Sequence, residues 1–183
     1  MADDTREGRV YIRSVVGADR REVLALARES RETHHPWIAP PLTAHMFRQY
    51  LRRIERGDHE GFAVCVKATD EIAGIININN VVRGSFLSAS LGYYLGSRFV
   101  GNGYMVEALT LVKQHAFRRL GLHRIEANIQ PDNIRSLNLV RRCGFVREGL
   151  SPAYLFINGA WRDHERWAAV DDRDTLSRTD TWR

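Results

Sequence analysis

Cysteine is scarce in this chain: 2 among 183 residues, Cys65 and Cys143, far apart and each in an apolar context. Reduced, buried thiols are expected rather than a disulfide. Neither cysteine has metal-ligand spacing with any of the 7 histidines, so no structural zinc is expected. Long apolar runs are missing too, none approaching the ~20 residues that span a bilayer. Residues Met1 to Arg9 are polar and lack the apolar core of a secretory signal. A cytoplasmic protein with no membrane partner is expected. Repeats, low-complexity tracts and linkers are also absent, which leaves one domain with a single core, from about Val10 to Val170. The polar stretch from Asp171 to Arg183 is expected to be a loose tail.

Charge is present in both signs. The balance of 27 Lys+Arg against 22 Asp+Glu gives a net charge of +5 and a pI near 9.6. Such an excess suits nucleic acid, a phosphorylated cofactor or a plain solvated surface. The arginines are scattered, and there is neither an RNP-type aromatic motif nor a helix-turn-helix spacing. Direct nucleic-acid binding is therefore not expected.

Hydrophobic periodicity places the elements. Val10-Tyr11-Ile12 reads as a strand. Asp19-Arg20-Arg21-Glu22 has the form of a capping box before a helix with Val23, Leu24, Leu26 and Ala27 on one side. His35-Pro36-Trp37 and Pro40-Pro41 make a loop. Phe47, Tyr50, Leu51 and Ile54 form the stripe of a second helix. Strands follow at Phe62–Val66, from Ile72, and at Leu87–Leu95. Met105, Ala108, Leu109, Val112, Ala116 and Leu120 line a third helix that Gly121 ends. Arg124–Ile129 is a strand, Pro131-Asp132-Asn133 starts a shorter helix that Gly144 stops, and two strands lie near Ala153–Ile157 and Glu165–Val170. The fold class is α+β (mixed α/β), a mixed sheet with helices on both faces.

Between strand and helix stands Arg98-Phe99-Val100-Gly101-Asn102-Gly103. Two glycines there let backbone N–H groups at a helix N-terminus surround a diphosphate without an intervening Cβ. A dinucleotide fingerprint would want a small residue where Val106 stands, and a P-loop would want Gly-Lys-Ser/Thr. Taken alone, the hexapeptide is equally a turn that uses glycine.

With its context, this turn resembles motif A of the GNAT N-acetyltransferases. The matching context is the strand Arg124–Ile129, Pro131-Asp132-Asn133, Ser136, and Cys143-Gly144-Phe145 followed by Glu148-Gly149. Asn80–Phe86, Leu91-Gly92-Tyr93 and Asn158–His164 are similar to the RimJ branch, the ribosomal-protein-alanine N-acetyltransferases. The resemblance covers Val10 to Val170. It implies a twisted mixed sheet whose fourth and fifth strands splay apart to admit a pantetheine arm. Acetyl-CoA is the implied donor, with no metal, and a protein N-terminus, such as that of a ribosomal protein, is the implied acceptor. Nucleic acid would then be met only indirectly, through the ribosome. Either a monomer or a homodimer fits.

The resemblance also assigns residues. The backbone of Val100, Gly101, Asn102, Gly103, Tyr104 and Met105 would hold the diphosphate, and Tyr94 and Leu95 would pair with pantetheine as an added strand does. Asn133 would hydrogen-bond pantetheine, cap a helix, or both. Ser136 falls near the cofactor sulfur, as a hydroxyl for the departing thiolate or simply as a small residue. Trp37, within Thr33–Pro41, would stack on the acceptor or anchor its loop. His34 and His35 are expected at the surface, and Arg141-Arg142 suits a helix C-terminus.

A general base is harder to find. Asn128 stands where relatives carry Glu, Val140 where some carry Tyr, and Leu155 where the RimL type has a glutamate. Glu126, on the same strand face as Asn128, and Glu107 are the carboxylates left. An α-amine, with a reference pKa of ~7.7–8.0, is roughly a tenth neutral near pH 7, whereas a lysine at ~10.4 needs about 4 kcal/mol more to become so. A site without a positioned carboxylate therefore favours an N-terminal amine. The rival readings are acetylation of a small-molecule or peptide-antibiotic amine, and a nucleic-acid-binding regulator with a vestigial cofactor site.

Overall fold

The computed structural model describes residues 8–171. Apart from Asp171, the tail expected at 171–183 lies outside the described residues. The elements run β1 (Val10–Ser14), α1 (Arg20–Glu29), α2 (Arg31–His34), α3 (Ala44–Ile54), β2 (Glu60–Val66), β3 (Ile72–Val82), β4 (Ser88–Leu95), α4 (Tyr104–Arg118), β5 (Arg124–Ile129), α5 (Ile134–Arg142), β6 (Val146–Ile157) and β7 (Ala160–Val170). The seven strands form one mixed sheet in the order β1-β2-β3-β4-β5-β7-β6. Of its pairings, β4 with β5 is parallel and the others are antiparallel.

Helices cover both faces, and the alternation of side chains says which. Phe62, Ile76 and Tyr93 lie abreast on β2, β3 and β4. Phe62 meets His115 of α4, ring centroids 4.9 Å apart, and Tyr93 meets Ser136 of α5. Their neighbours Gly61, Asn77 and Gly92 therefore point the other way, where the Tyr50 hydroxyl of α3 donates to Asn77 Oδ1 at 2.7 Å. Covered on both sides, β3 reads as a continuous apolar run, and Ile72, Ile75, Ile76 and Ile78 are fully buried. The stripe of α4 behaves as its spacing dictates: Met105, Ala108, Leu109, Val112 and Ala116 are buried. Both cysteines are free and buried.

Local expectations fail in three places. The capping box at Asp19 does not form: the Asp19 carboxylate accepts instead from the Arg13 guanidinium at 2.8 Å and from the Val16 N–H at 2.8 Å. Glu22 reaches away to the Ile72 N–H at 2.5 Å. The chain also makes a short extra helix, α2, before Pro36 forces His35 into an extended conformation. The last two strands are longer than Ala153–Ile157 and Glu165–Val170. Two register shifts interrupt their pairing, so the period-2 pattern that would reveal the full hairpin is broken.

Candidate active site

The parallel pair is where the sheet opens. Pairing joins Ser88–Leu91 of β4 to Arg124–Ala127 of β5. Beyond it, Gly92–Leu95 and Asn128–Ile129 diverge. The gap becomes a cleft of about 850 Å³ that passes from the α4 face of the sheet to the α3 face. Main-chain direction along β4 decides what lines it. The Gly96 N–H donates to the Ala73 carbonyl at 2.8 Å, and the register with β3 runs unbroken back to Ser90. By alternation, the amides and carbonyls of Tyr94 face β3, whereas those of Tyr93 and Leu95 face the open gap. Tyr94 is thus not an open-edge pairing residue; Tyr93 takes that place.

On the α4 face the cleft ends at the helix N-terminus. Gly101 and Gly103 have φ of +89° and +79°, left-handed values at which other residues are strained. This conformation turns a run of amides outward. Among the described residues, no protein group accepts from the N–H of Gly101, Asn102, Gly103, Tyr104 or Met105; the first amides satisfied are those of Val106 and Glu107, on the Gly103 carbonyl. A Cβ at Gly101 would meet nothing within 4 Å. Five unpaired donors at the positive end of a four-turn helix fit a diphosphate. Side chains contribute elsewhere: Asn102 Nδ2 bonds the Phe99 carbonyl at 3.2 Å, and the Arg9 guanidinium covers the Tyr104 ring, 5.2 Å from its centroid.

Beside this cradle, Asn133 caps α5. Its Oδ1 accepts from the Ser136 N–H at 3.2 Å. The Ser136 hydroxyl in turn lies 2.5 Å from the Tyr93 hydroxyl. Burial pushes the Tyr93 phenol well above its ordinary pKa, partly offset by Ser136, so the pair is neutral.

On the α3 face the lining comes from side chains. Leu91 lies abreast of Ala127, so Asn128 points to the opposite face from Tyr93. Arg166 lies abreast of Asn128, and His164, two residues along β7, shares that face. Asn128 Oδ1 is buried without a partner among the described residues. His164 is buried, its Nδ1 2.9 Å from the Arg162 carbonyl. His34, expected at the surface, is 5% exposed. Its Nε2 donates to the Leu95 carbonyl at 2.7 Å, and its ring stands edge-on to Tyr94. Burial lowers its pKa, against the Leu95 carbonyl, which favours the charged form. Trp37 and Ile38 close this side, where Asn158 Nδ2 of the β6–β7 hairpin donates to the Pro36 carbonyl at 2.6 Å.

The two remaining carboxylates are held elsewhere. Glu126 does not line the cleft; the Arg124 guanidinium binds it at 2.7 Å and also binds Glu148. Glu107 accepts from the Arg9 N–H, Nε and Nη2. Glu32 and Asp132 border the cleft, but both are exposed.

Comparison with known proteins bears on this architecture. A family model described as an acetyltransferase (GNAT) domain matches residues 9–146. The chain belongs to the GNAT acetyltransferases. It is an acetyl-CoA-dependent N-acetyltransferase of RimJ-like type. A protein named probable N-acetyltransferase YjcK, from Bacillus subtilis, is 30% identical over 90% of this chain and 96% of its own length. The Escherichia coli [ribosomal protein uS5]-alanine N-acetyltransferase is 49% identical over 51% of this chain and 48% of its own. The solved structure of Mycobacterium smegmatis RimJ with CoA-disulfide superposes with a TM-score of 0.78 at 30% identity, covering 88% of this chain and 81% of that one.

In this acetyltransferase the cleft brings together Trp37, Tyr94, Leu95, Val100, Gly101, Gly103, Met105, Asn128, Asn133 and Ser136, all named from the sequence. Asn102, Tyr104 and Glu126 are not among its lining residues. Sequence reasoning assigned no role to Tyr93, His34 or His164. Tyr93 and His164 sat inside the quoted motifs, and only the sheet shows which way they point. Among the described residues, no group of three or more His, Cys, Asp or Glu could hold a metal ion, and no helix is long and apolar enough to cross a membrane.

Proposed function

We propose that this acetyltransferase acetylates the N-terminal α-amine of a protein, with a ribosomal protein as the acceptor. The observation that carries the reading is that, among the described residues, the carboxylates lining the cleft are Glu32 and Asp132, both exposed, and none is buried there. A lysine acceptor would need about 4 kcal/mol of help in losing its proton, whereas an α-amine is already partly neutral near pH 7. The same lack disfavours a polycationic small amine, which would leave its charges unmatched in a buried site. The half-length likeness to a uS5-alanine N-acetyltransferase supports the ribosomal acceptor.

Acetyl-CoA supplies an activated thioester. The amides of Gly101 to Met105 hold its diphosphate, and the main-chain groups of Tyr93, with the N–H of Leu95, face the pantetheine arm; the Leu95 carbonyl is engaged by His34. The Asn133 Nδ2 is a further donor there. The Ser136 hydroxyl, aligned by Tyr93, stabilises the departing thiolate by a hydrogen bond. Asn128 and Trp37 position the acceptor from the α3 face. Purified enzyme, acetyl-CoA and two peptide sets test the reading: one with free N-termini, the other acetyl-capped and bearing lysine. Turnover of the free set is expected. Preferential turnover of the capped set would sink the α-amine assignment, and mass spectrometry of ribosomal proteins incubated with labelled donor tests the acceptor.

A further inference from the structure

The reaction leaves one proton unaccounted for. When a neutral amine attacks, the new C–N bond leaves a positive nitrogen that must lose a proton before or as the tetrahedral adduct collapses. The positions where relatives carry a base hold Asn128, Val140 and Leu155. Asn128 cannot take the proton, Val140 is buried core, and Glu126 and Glu107 are engaged by arginines.

His34 has the properties the step requires. Its Nε2 bonds a carbonyl, which can only accept, so the proton of the neutral ring sits on Nε2 and the Nδ1 lone pair is free. Nδ1 is buried and has no hydrogen-bond partner among the described residues, an unsatisfied acceptor of the kind that stable interiors avoid. The residue lines the cleft, on the side from which Trp37 and Asn128 face the acceptor. Leaving a buried ring nitrogen unpaired is costly unless an N–H donor arrives to satisfy it. An incoming amine is such a donor once its binding opens this edge of the ring to the cleft.

We propose that His34 Nδ1 accepts the proton released by the attacking amine, and so acts as the general base of this acetyltransferase. The inference rests on the α-amine reading above. The amine nitrogen gives its lone pair to the acetyl carbon, and the carbonyl π pair moves to oxygen. As the C=O re-forms, the C–S bond breaks and its pair leaves on the CoA sulfur. The N–H proton passes to Nδ1, and the resulting imidazolium keeps its Nε2–H bond to Leu95, which stabilises the charge. The proton returns to solvent when the products leave.

Burial keeps His34 below its ordinary pKa, so the ring is unprotonated and competent at neutral pH. The other titratable groups bordering the cleft are the exposed His35, Glu32, Asp132, Arg135 and Arg142, the hydroxyls of Tyr93 and Tyr94, and the buried His164. His164 is the one competitor. Its Nδ1 bonds the Arg162 carbonyl, which leaves Nε2 as its acceptor.

Two variants separate these groups. His34→Gln places an amide donor where Nε2–H stands and keeps the Leu95 bond, but cannot take a proton. His164→Asn does the same for the bond to Arg162. For wild type and both variants, kcat is followed from pH 5 to 9 with saturating acetyl-CoA and a free N-terminal alanine peptide. The Kd for acetyl-CoA and the Tm are measured alongside. His34→Gln is expected to lower kcat about 10²-fold, at the low end of general-base contributions, to remove the further acid limb that lies below the one imposed by the acceptor amine's own titration, and to leave the Kd unchanged. His164→Asn is expected to keep the acid limb. Near-normal kcat in His34→Gln would overturn the proposal, as would survival there of the further limb below the amine's own titration, its disappearance in His164→Asn, or a loss traced wholly to Kd or Tm. If the wild type itself fails on the peptide, the α-amine reading falls, and this proposal with it.

Discussion

On the α4 face of the cleft, five consecutive residues, Gly101 to Met105, present main-chain amides that are unpaired among the described residues. On the α3 face, the lining polar groups are side chains of His34, Asn128 and His164, delivered by α2, β5 and β7. The first arrangement depends on backbone conformation and needs only two left-handed glycines. The second depends on where three distant segments meet. A donor common to a whole family is suited by the former, because side chains can drift around it without loss. An acceptor that differs between relatives is suited by the latter, because each side chain can change alone.

The contrast can be broken most forcefully at Gly101. A leucine there strains a φ of +89° by about 1–2 kcal/mol, yet its Cβ meets no protein atom, so the fold should survive. The diphosphate space would not. Loss of two charge-assisted hydrogen bonds, each about 1.5–3 kcal/mol, should raise the Kd for acetyl-CoA on the order of 10²-fold or more. Calorimetry on Gly101→Leu checks this, and an unchanged Kd would mean that the cradle is elsewhere. Next in size, Ser136→Ala should lower kcat about tenfold, the worth of one hydrogen bond to a charged group, without changing the Kd for acetyl-CoA. Tyr93→Phe should have a smaller effect in the same direction and add nothing to Ser136→Ala, since it acts through that hydroxyl.

Crossing to the α3 face, Trp37→Ala should raise the acceptor KM about three- to tenfold, the range of one aromatic contact, with donor binding intact. A change in donor affinity instead would erase the distinction between the two sides. The smallest effect is expected at Glu107. Burial would raise its pKa, but the hydrogen bonds from Arg9 hold it below the ordinary carboxylate value. A carboxylate depressed in the folded state stabilises above its unfolded pKa, and that contribution is lost as pH falls through the folded one. With Arg9 mostly exposed, Glu107→Gln should cost no more than about 1 kcal/mol at pH 7. Thermal melts of the two proteins should converge in acid.

These differences explain what could be read in advance. The Gly101-Asn102-Gly103 turn, the α4 stripe and the Asn133 cap are encoded within a few residues, so local patterns expose them. His34 lies in the polar string Glu32-Thr33-His34-His35, which reads as surface. Its ring is buried against the Leu95 carbonyl, 61 positions away, which faces the open edge of β4 and accepts from Nε2. Glu126 reads as a neighbour of Asn128 on one strand face, and only the fold shows Arg124, itself also bound by Glu148, drawing it aside. The pairing of Tyr93 with Ser136 spans 43 positions and is likewise invisible to any short window. In the last hairpin, register shifts hide the alternation that would have marked its full length.

The most direct test of the main-chain cradle is an amide NMR titration with CoA and, separately, with pantetheine, which lacks the diphosphate. The N–H signals of Gly101 and Gly103 are expected to move further than any others with CoA and to stay nearly still with pantetheine. Signals that ignore CoA, or that respond equally to both ligands, would contradict a diphosphate held by those amides.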